Sequence, residues 1–346
     1  MRALWLGVAF AIAIASTVPA AAIGVYKDRF DAVVSHFGSS LLGTWVFHPD
    51  YMYSDIAGTQ TAVSDGRLGR VASYVPGAPD LIAVSDIRRP TVRTVDGPIS
   101  GVEYVGWQGQ QGSPTGSRWL QTETDIGLTT TEFTIAINGF IPFFDTGPQQ
   151  VLWYVMGANA GLTSPGSTGV VRVFDSTDSN DYLMSRIRLD NGTDASRRGF
   201  HFGDFDDFVP TIWDARGGGD PNSPSTDREM RTWQANANGD LVVLPFSQQE
   251  TNLGAATLAD GRLTLGSATS GHNGANAFFA GSVIILDRLT ANDFERDLLA
   301  FALQPIPWLV ESPDPEGSVV PLPAPVALLL SGLVGLAAFG RWRRPG

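Results

Sequence analysis

Residues 131–141 read "TEFTIAINGFI", and the stretch alternates. Phe133, Ile135 and Ile137 fall on one side of an extended chain, and Thr134, Ala136 and Asn138 on the other. Successive side chains of a strand point to opposite faces, so this period of two marks a strand with one face in a core. Similar stretches lie downstream. Residues 150–156 (QVLWYVM), 169–175 (GVVRVFD), 182–189 (YLMSRIRL) and 199–202 (GFHF) are further strand candidates. Residues 229–246 read as a hairpin, with Asn238-Gly239 supplying the positive φ angles of a tight turn. Residues 261–267 (GRLTLGS) and 278–288 (FFAGSVIILDR) complete the series. Helical spacing appears twice: Tyr26, Phe30, Val33 and Phe37, stopped by Gly38, and Phe294, Leu298, Phe301 and Ala302, with Thr290 and Asp293 as candidate caps. Short strands joined by Gly, Asn and Asp turns predict an all-β, antiparallel two-sheet sandwich with short flanking helices.

The two ends have a different character. Residues 1–22 hold Arg2, an apolar run from Ala3 to Ala15, and a close on Ala20-Ala21-Ala22. That is the pattern of a cleaved secretory signal peptide. Residues 325–340 form an apolar segment of about 24 Å as a helix, followed at once by Arg341, Arg343 and Arg344. The segment is predicted to be a transmembrane helix, with the arginines on the cytoplasmic side and the main domain outside. Without the two ends, 19 of the 23 basic residues face all 35 acidic ones, a balance of −16. Such a field repels nucleic-acid phosphate and anionic lipid, and suits divalent cations, neutral glycans or solubility. The chain has no cysteine, which excludes thiolate zinc sites, iron–sulfur clusters and cysteine nucleophiles.

The tail resembles the PEP-CTERM sorting signal in its VPLPA form, written here as Val320, Pro321, Leu322, Pro323 and Ala324, then the apolar segment and the arginine cluster. The resemblance implies export from a Gram-negative cell, processing by signal peptidase and an exosortase, and transient residence in the inner membrane. A second resemblance is carried by Asp55-Ile56-Ala57-Gly58-Thr59, Asp65-Gly66, Gly69-Arg70-Val71 and Arg89-Pro90-Thr91. With "GRLTLGS" and "GSVIILDRLTANDFERDLLAFA" near the far end, these are similar to the opening and closing patterns of concanavalin A-like (LamG-like) domains. That resemblance implies a jelly-roll sandwich and a carbohydrate ligand. The expected organisation is a signal peptide (1–22), an N-terminal helix (23–43), a sandwich (44–303), a Pro-rich linker (304–319) and the sorting signal (320–346).

Chemistry is harder to find. The glucanases of this fold carry E-x-D-x-E on one strand, and no stretch of this chain reads so. His36, His48, His201 and His272 are scattered, without metal-ligand spacing. Asp175, Asp178 and Asp181 form one acidic cluster, and Asp190 and Asp194 another. Calcium takes six to eight oxygens from such loops, which makes these residues candidate ligands; aspartate is equally a turn former. Sugars pack on flat aromatic faces, and Trp107, Trp119 and Trp213, beside glycine-rich turns, are the candidate platforms, whereas Trp153 and Trp233 are expected in the core. The reading is an exported, non-catalytic protein of the cell surface or extracellular matrix that binds exopolysaccharide. The alternatives are a structural or protein-binding surface protein, and a divergent glycan hydrolase.

Overall fold

In the computed structural model the strand expected at 131–141 is present, and it is buried on both sides: Thr134, Ala136 and Asn138 are as inaccessible as Phe133, Ile135 and Ile137. The structure describes residues 25–96, 103–110, 117–128, 132–141, 149–156, 168–175, 180–188, 194–199, 209–216, 229–235, 240–243, 246–249, 260–267 and 274–308. Helix α1 (Val25–Phe37) leads through a 3-10 turn (Gly38–Ser40) into β1 (Leu41–Val46). Short strands β2 (Met52–Tyr53), β3 (Arg70–Val71) and β4 (Leu81–Ile82) follow, then β5 (Thr91–Asp96), β6 (Glu103–Gln108) and β7 (Leu120–Thr122). The long central strands are β8 (Glu132–Phe140), β9 (Gln149–Met156), β10 (Thr168–Asp175) and β11 (Asn180–Arg188). Next come β12 (Asp194–Gly199), β13 (Pro210–Arg216), β14 (Glu229–Ala235), β15 (Leu241–Val243) and β16 (Phe246–Gln249). Strands β17 (Arg262–Leu265) and β18 (Phe278–Leu286) precede helix α2 (Asp293–Ala302).

Two antiparallel sheets result. One has eight strands in the order β15-β14-β13-β8-β18-β6-β5, with β1 also on β18, and the other has ten in the order β16-β12-β11-β10-β9-β17-β7-β4-β3-β2. Their facing sides enclose one core, built from Trp45, Phe133, Ile135, Ile137, Trp153, Val283 and Ile285 among others. The other side of the eight-stranded sheet is covered by the two helices. There Tyr26, Phe30, Val33 and Phe37 of α1 and Leu299 and Ala302 of α2 meet Val46, Ala136, Ile212, Ile284 and Leu286. The period of two therefore sorts residues between two cores: Ile135 and Ile285 go inward, Ala136 and Ile284 toward the helices.

The first and last strands lie side by side. Residues Ser282 to Leu286 of β18 pair with β1, and Phe278 to Ala280 pair with β6. The change of partner falls at Gly281, whose φ is 65° and where a Cβ would lie 2.2 Å from the carbonyl oxygen of Leu303. Only glycine fits both demands.

Several expectations shift. The first helix ends at Phe37, at the Gly38 stop expected for it, and β1 begins at Leu41, inside the segment 23–43 assigned to the helix, where Leu41 enters the helix-side core. Packed chain continues past 303: Ile306 is buried, and the amide of Trp308 donates to Glu103 O at 2.7 Å. Of the strand expected at 199–202 only Gly199, the last residue of β12, is described, and residues 200–202 lie outside the described residues. The expected hairpin is β14–β15, with Trp233 opposite Val243. Asn238-Gly239 lies outside the described residues. Helix α2 is capped by Asn292, which accepts from the Glu295 amide, rather than by Thr290 or Asp293. Its buried line is Glu295, Leu299 and Ala302, whereas Phe294 and Phe301 are 62% and 52% exposed. Among the described residues no helix is long and apolar enough to cross a membrane. The signal peptide, the sorting motif, the 325–340 span and Arg341, Arg343 and Arg344 lie outside them.

Candidate functional site

The three candidate tryptophan platforms are interior residues. Trp107 and Trp119 are 0% exposed and Trp213 is 1% exposed. Trp107 stacks on Phe279 at 4.4 Å between ring centroids, Trp213 meets Trp153 edge-on at 5.6 Å, and the Arg88 guanidinium lies 4.7 Å from the Trp119 ring. None offers a face to a sugar.

The aspartate clusters are separated. Asp175 closes β10 opposite Asn180, next to Asp181 on β11. Asp194 opens β12 opposite Arg188, at the other end of β11. Asp181 and Arg188 are seven positions apart on β11, about 23 Å along the strand. Asp178 and Asp190 lie outside the described residues. No cluster of three or more His, Cys, Asp or Glu suited to a metal is present among the described residues.

The stretch that carried the LamG-like resemblance is a brace. Asp55 accepts the Thr59 amide at 2.9 Å, the Thr59 hydroxyl at 2.7 Å and the Gln60 amide at 2.9 Å, which pins the turn and holds its carboxyl below the ordinary range. Gly69 runs against this turn so closely that a Cβ would lie 2.3 Å from the Asp55 carbonyl carbon. Arg70 donates to Asp80 at 2.6 Å, to Ile56 O at 3.1 Å and to Glu123 at 3.2 Å. Arg89 donates to Ser54 O at 2.6 Å, and Arg93 pairs with Asp65. Every motif arginine is turned onto the protein's own acceptors.

A cleft lies on the helix side of the eight-stranded sheet. Opposed residues form a row across β18, β8, β13 and β14, namely Leu286, Thr134, Asp214 and Arg231. The adjacent row is Ile284, Ala136, Ile212 and Trp233. Asp214, Arg231 and Trp233 thus share one wall, and Leu289, Thr290, Ala291 and Arg296 close the other around about 310 Å³. The Arg296 guanidinium stacks 4.7 Å from the Trp233 ring and donates to Thr290 Oγ1 at 3.1 Å and Asp293 at 2.5 Å. Strands β13 and β14 hold the first wall, and helix α2 with the segment that leads into it holds the second.

Asp214 is 5% exposed. It accepts from the Thr290 hydroxyl at 2.6 Å and the Thr290 amide at 3.3 Å, and touches the Thr134 hydroxyl. Thr134 Oγ1 also lies 2.8 Å from Arg288 O, but it has one proton for two acceptors. Burial above all pushes the Asp214 carboxyl above its ordinary range, against the hydrogen bonds from Thr134 and Thr290 that pull it down. Behind the cleft, Glu295 takes Arg288 in a two-pronged pair at 2.7 and 2.8 Å, the Ala291 amide at 2.7 Å, and His36 Nε2 at 3.1 Å. The Arg288 partner above all holds its carboxyl down at about 2.

Sequence reading missed this site because it depends on register. Asp214 in "TIWDAR" and Arg231 in "MRTWQ" are outward strand positions, and only the pairing of β13 with β14 sets them opposite each other. The available signal was a carboxylate between apolar strand residues, a costly placement unless something receives it.

No family model matches the chain, and no curated protein matches it. Among solved structures, the chain is similar to the binding domain of botulinum neurotoxin DC in complex with rat synaptotagmin II, with 10% identity, a TM-score of 0.44, and coverage of 77% of this chain and 52% of that one. It is similar to an arabinofuranosidase complexed with arabinofuranosyl-alpha-1,2-xylobiose, with 10% identity, a TM-score of 0.49 and coverage of 81% and 65%. It is also similar to tailspike protein 2 of bacteriophage CBA120, with 16% identity, a TM-score of 0.40 and coverage of 72% and 32%. The chain spans about half the length of the toxin binding domain. The sandwich assignment rests on the strand registers above, not on these likenesses.

Proposed function

We propose that the protein is exported and binds extracellular polysaccharide without cutting it, through a concanavalin A-like jelly-roll sandwich. The observation that carries this reading is the cleft at Asp214, Arg231 and Arg296. It is concave and polar, and it stands on rigid strands. Its volume of about 310 Å³ lies at the lower end of small-molecule pockets. A retaining hydrolase needs two carboxyls about 5–5.5 Å apart, and the lining supplies one, Asp214, already tied to two threonines. Export, signal peptidase, exosortase and passage through the inner membrane belong to the same proposal and rest on the two ends of the sequence.

The test is a glycan array probed with the full chain, with calcium and with chelator, alongside reducing-end release from β-glucans and exopolysaccharide. Glycan binding without release is expected. Release of reducing ends would install the hydrolase reading, and absence of any glycan bound would leave a structural or protein-binding role. Mass spectrometry of the cell-surface protein should find new termini after residue 22 and near 320–324.

A further inference from the structure

We infer that a patch on the flank of α1 turned away from α2, built on Tyr51 and Tyr74 with Lys27 and Asp31, binds a neutral sugar unit of a polysaccharide. The inference rests on the glycan-binding reading and adds to it a site that shares no residue with the cleft.

Helix α1 has two flanks. Arg29 and His36 reach α2, at Phe301 O and the Glu295 carboxylate, 3.3 and 3.1 Å away. Lys27 and Asp31, one turn apart and so on one face, reach the other way, to Asp50 and Tyr74. Two half-buried tyrosine rings lie on that side. Tyr74 packs on Phe30, and Tyr51 on Tyr74, each at 5.6 Å between ring centroids. Phe30 is fully buried, so the pair is rooted in the helix-side core and still reaches the surface. The main chain fixes both residues. The Tyr51 amide donates to His48 O at 2.9 Å, the Tyr51 carbonyl accepts from Ala72 at 2.8 Å, and the Tyr74 amide donates to Thr44 O at 2.7 Å. A site set in advance loses little order on binding.

A sugar packs its C–H side on an aromatic ring, and its hydroxyls both donate and accept. It therefore asks for rings, donors and acceptors in one place. The Lys27 ammonium has three N–H groups and one carboxylate partner, Asp50 Oδ2 at 3.2 Å. Asp31 takes the Tyr74 hydroxyl on Oδ1 at 2.5 Å, which leaves Oδ2 to accept. The Tyr51 hydroxyl is bonded to no side chain among the described residues and can serve either way. Burial above all raises the Tyr51 phenol; Lys27 pulls it down, and Asp50 and Asp31 push it up, so all three charges act at this ring. The carboxylates of Asp28, Asp31 and Asp50 turn away an anionic sugar, and the ammonium of Lys27 among them turns away a cationic one. A neutral sugar meets neither objection. These rings reach the surface, as the candidate tryptophans do not.

The experiment is an array of neutral hexose, amino-sugar and uronate oligomers, probed with the full chain at physiological ionic strength. The neutral oligomers should bind. Tyr51→Ala should weaken them roughly tenfold at an unchanged urea midpoint, Tyr51→Trp, which keeps a ring, should retain most of the binding, and Lys27→Met should weaken them roughly threefold. Nitration of the unaltered chain, read by peptide mass spectrometry, should be slower at Tyr51 with the best-bound neutral oligomer present, and this arm stands even if a variant misfolds. Unchanged nitration at Tyr51 with sugar bound would overturn the patch while leaving glycan binding to the cleft. Undiminished neutral binding by Tyr51→Ala at the wild-type midpoint would do the same. Binding confined to uronates or amino sugars would overturn the neutral assignment. Failure to bind any carbohydrate would overturn both this inference and the reading beneath it.

Discussion

At the start of the sandwich, Arg70, Arg89 and Arg93 turn their guanidinium groups onto Asp80, Glu123, Asp65 and backbone carbonyls. At the helix-covered side, Arg231 and Arg296 line an open cleft. The first region matches a recognisable sequence pattern and is internal bracing. The second has no pattern and holds the candidate binding chemistry. A motif whose polar groups are already used inside the fold says little about a ligand.

The largest effect should come from the brace. Gly69→Val places atoms where the Asp55 backbone lies, and it should abolish cooperative urea unfolding; a transition within about 1 kcal/mol of wild type would break the account of this region. Trp107→Ala should cost about 3–5 kcal/mol, read from the same transition, because its ring is packed inside and not offered to sugar. Glu295→Gln should cost about 3 kcal/mol by leaving Arg288 without its carboxylate. Its pH dependence sharpens the comparison. The folded carboxyl sits at about 2 against an ordinary 4.5, so its contribution is full above about 4.5 and is lost as pH falls through about 2. The variant should therefore show a shallower loss of stability on acidification than the wild type. Arg70→Met, partly exposed, should cost about 1–2 kcal/mol.

Much of the fold was readable from residues. The alternation at 131–141, the hairpin at 229–246 and the final strand before α2 all follow from local period and turn chemistry. The helix-side core was not, since Thr134, Ala136 and Asn138 read as a solvent face until something covers them. Helix α2 misled for a related reason. Its two phenylalanines line up at helical spacing, yet the buried face carries Glu295, paid for by Arg288 and His36. The cleft was illegible because β13 meets β8 through pairings 72–84 residues apart and β14 through pairings 13–23 apart, and no local period encodes those registers. The tryptophans illustrate the converse, for a turn-rich neighbourhood fixes where the chain bends but not which way an indole points.

The central claim is that the tryptophans beside the glycine-rich stretches are interior residues that hold the sandwich together and offer no face to a sugar. The glycan array repeated with Trp107→Phe, with urea unfolding run on the same sample, tests it most directly. A lowered urea midpoint with glycan binding retained by the folded protein is the predicted result. Lost glycan binding at the wild-type midpoint would contradict the claim.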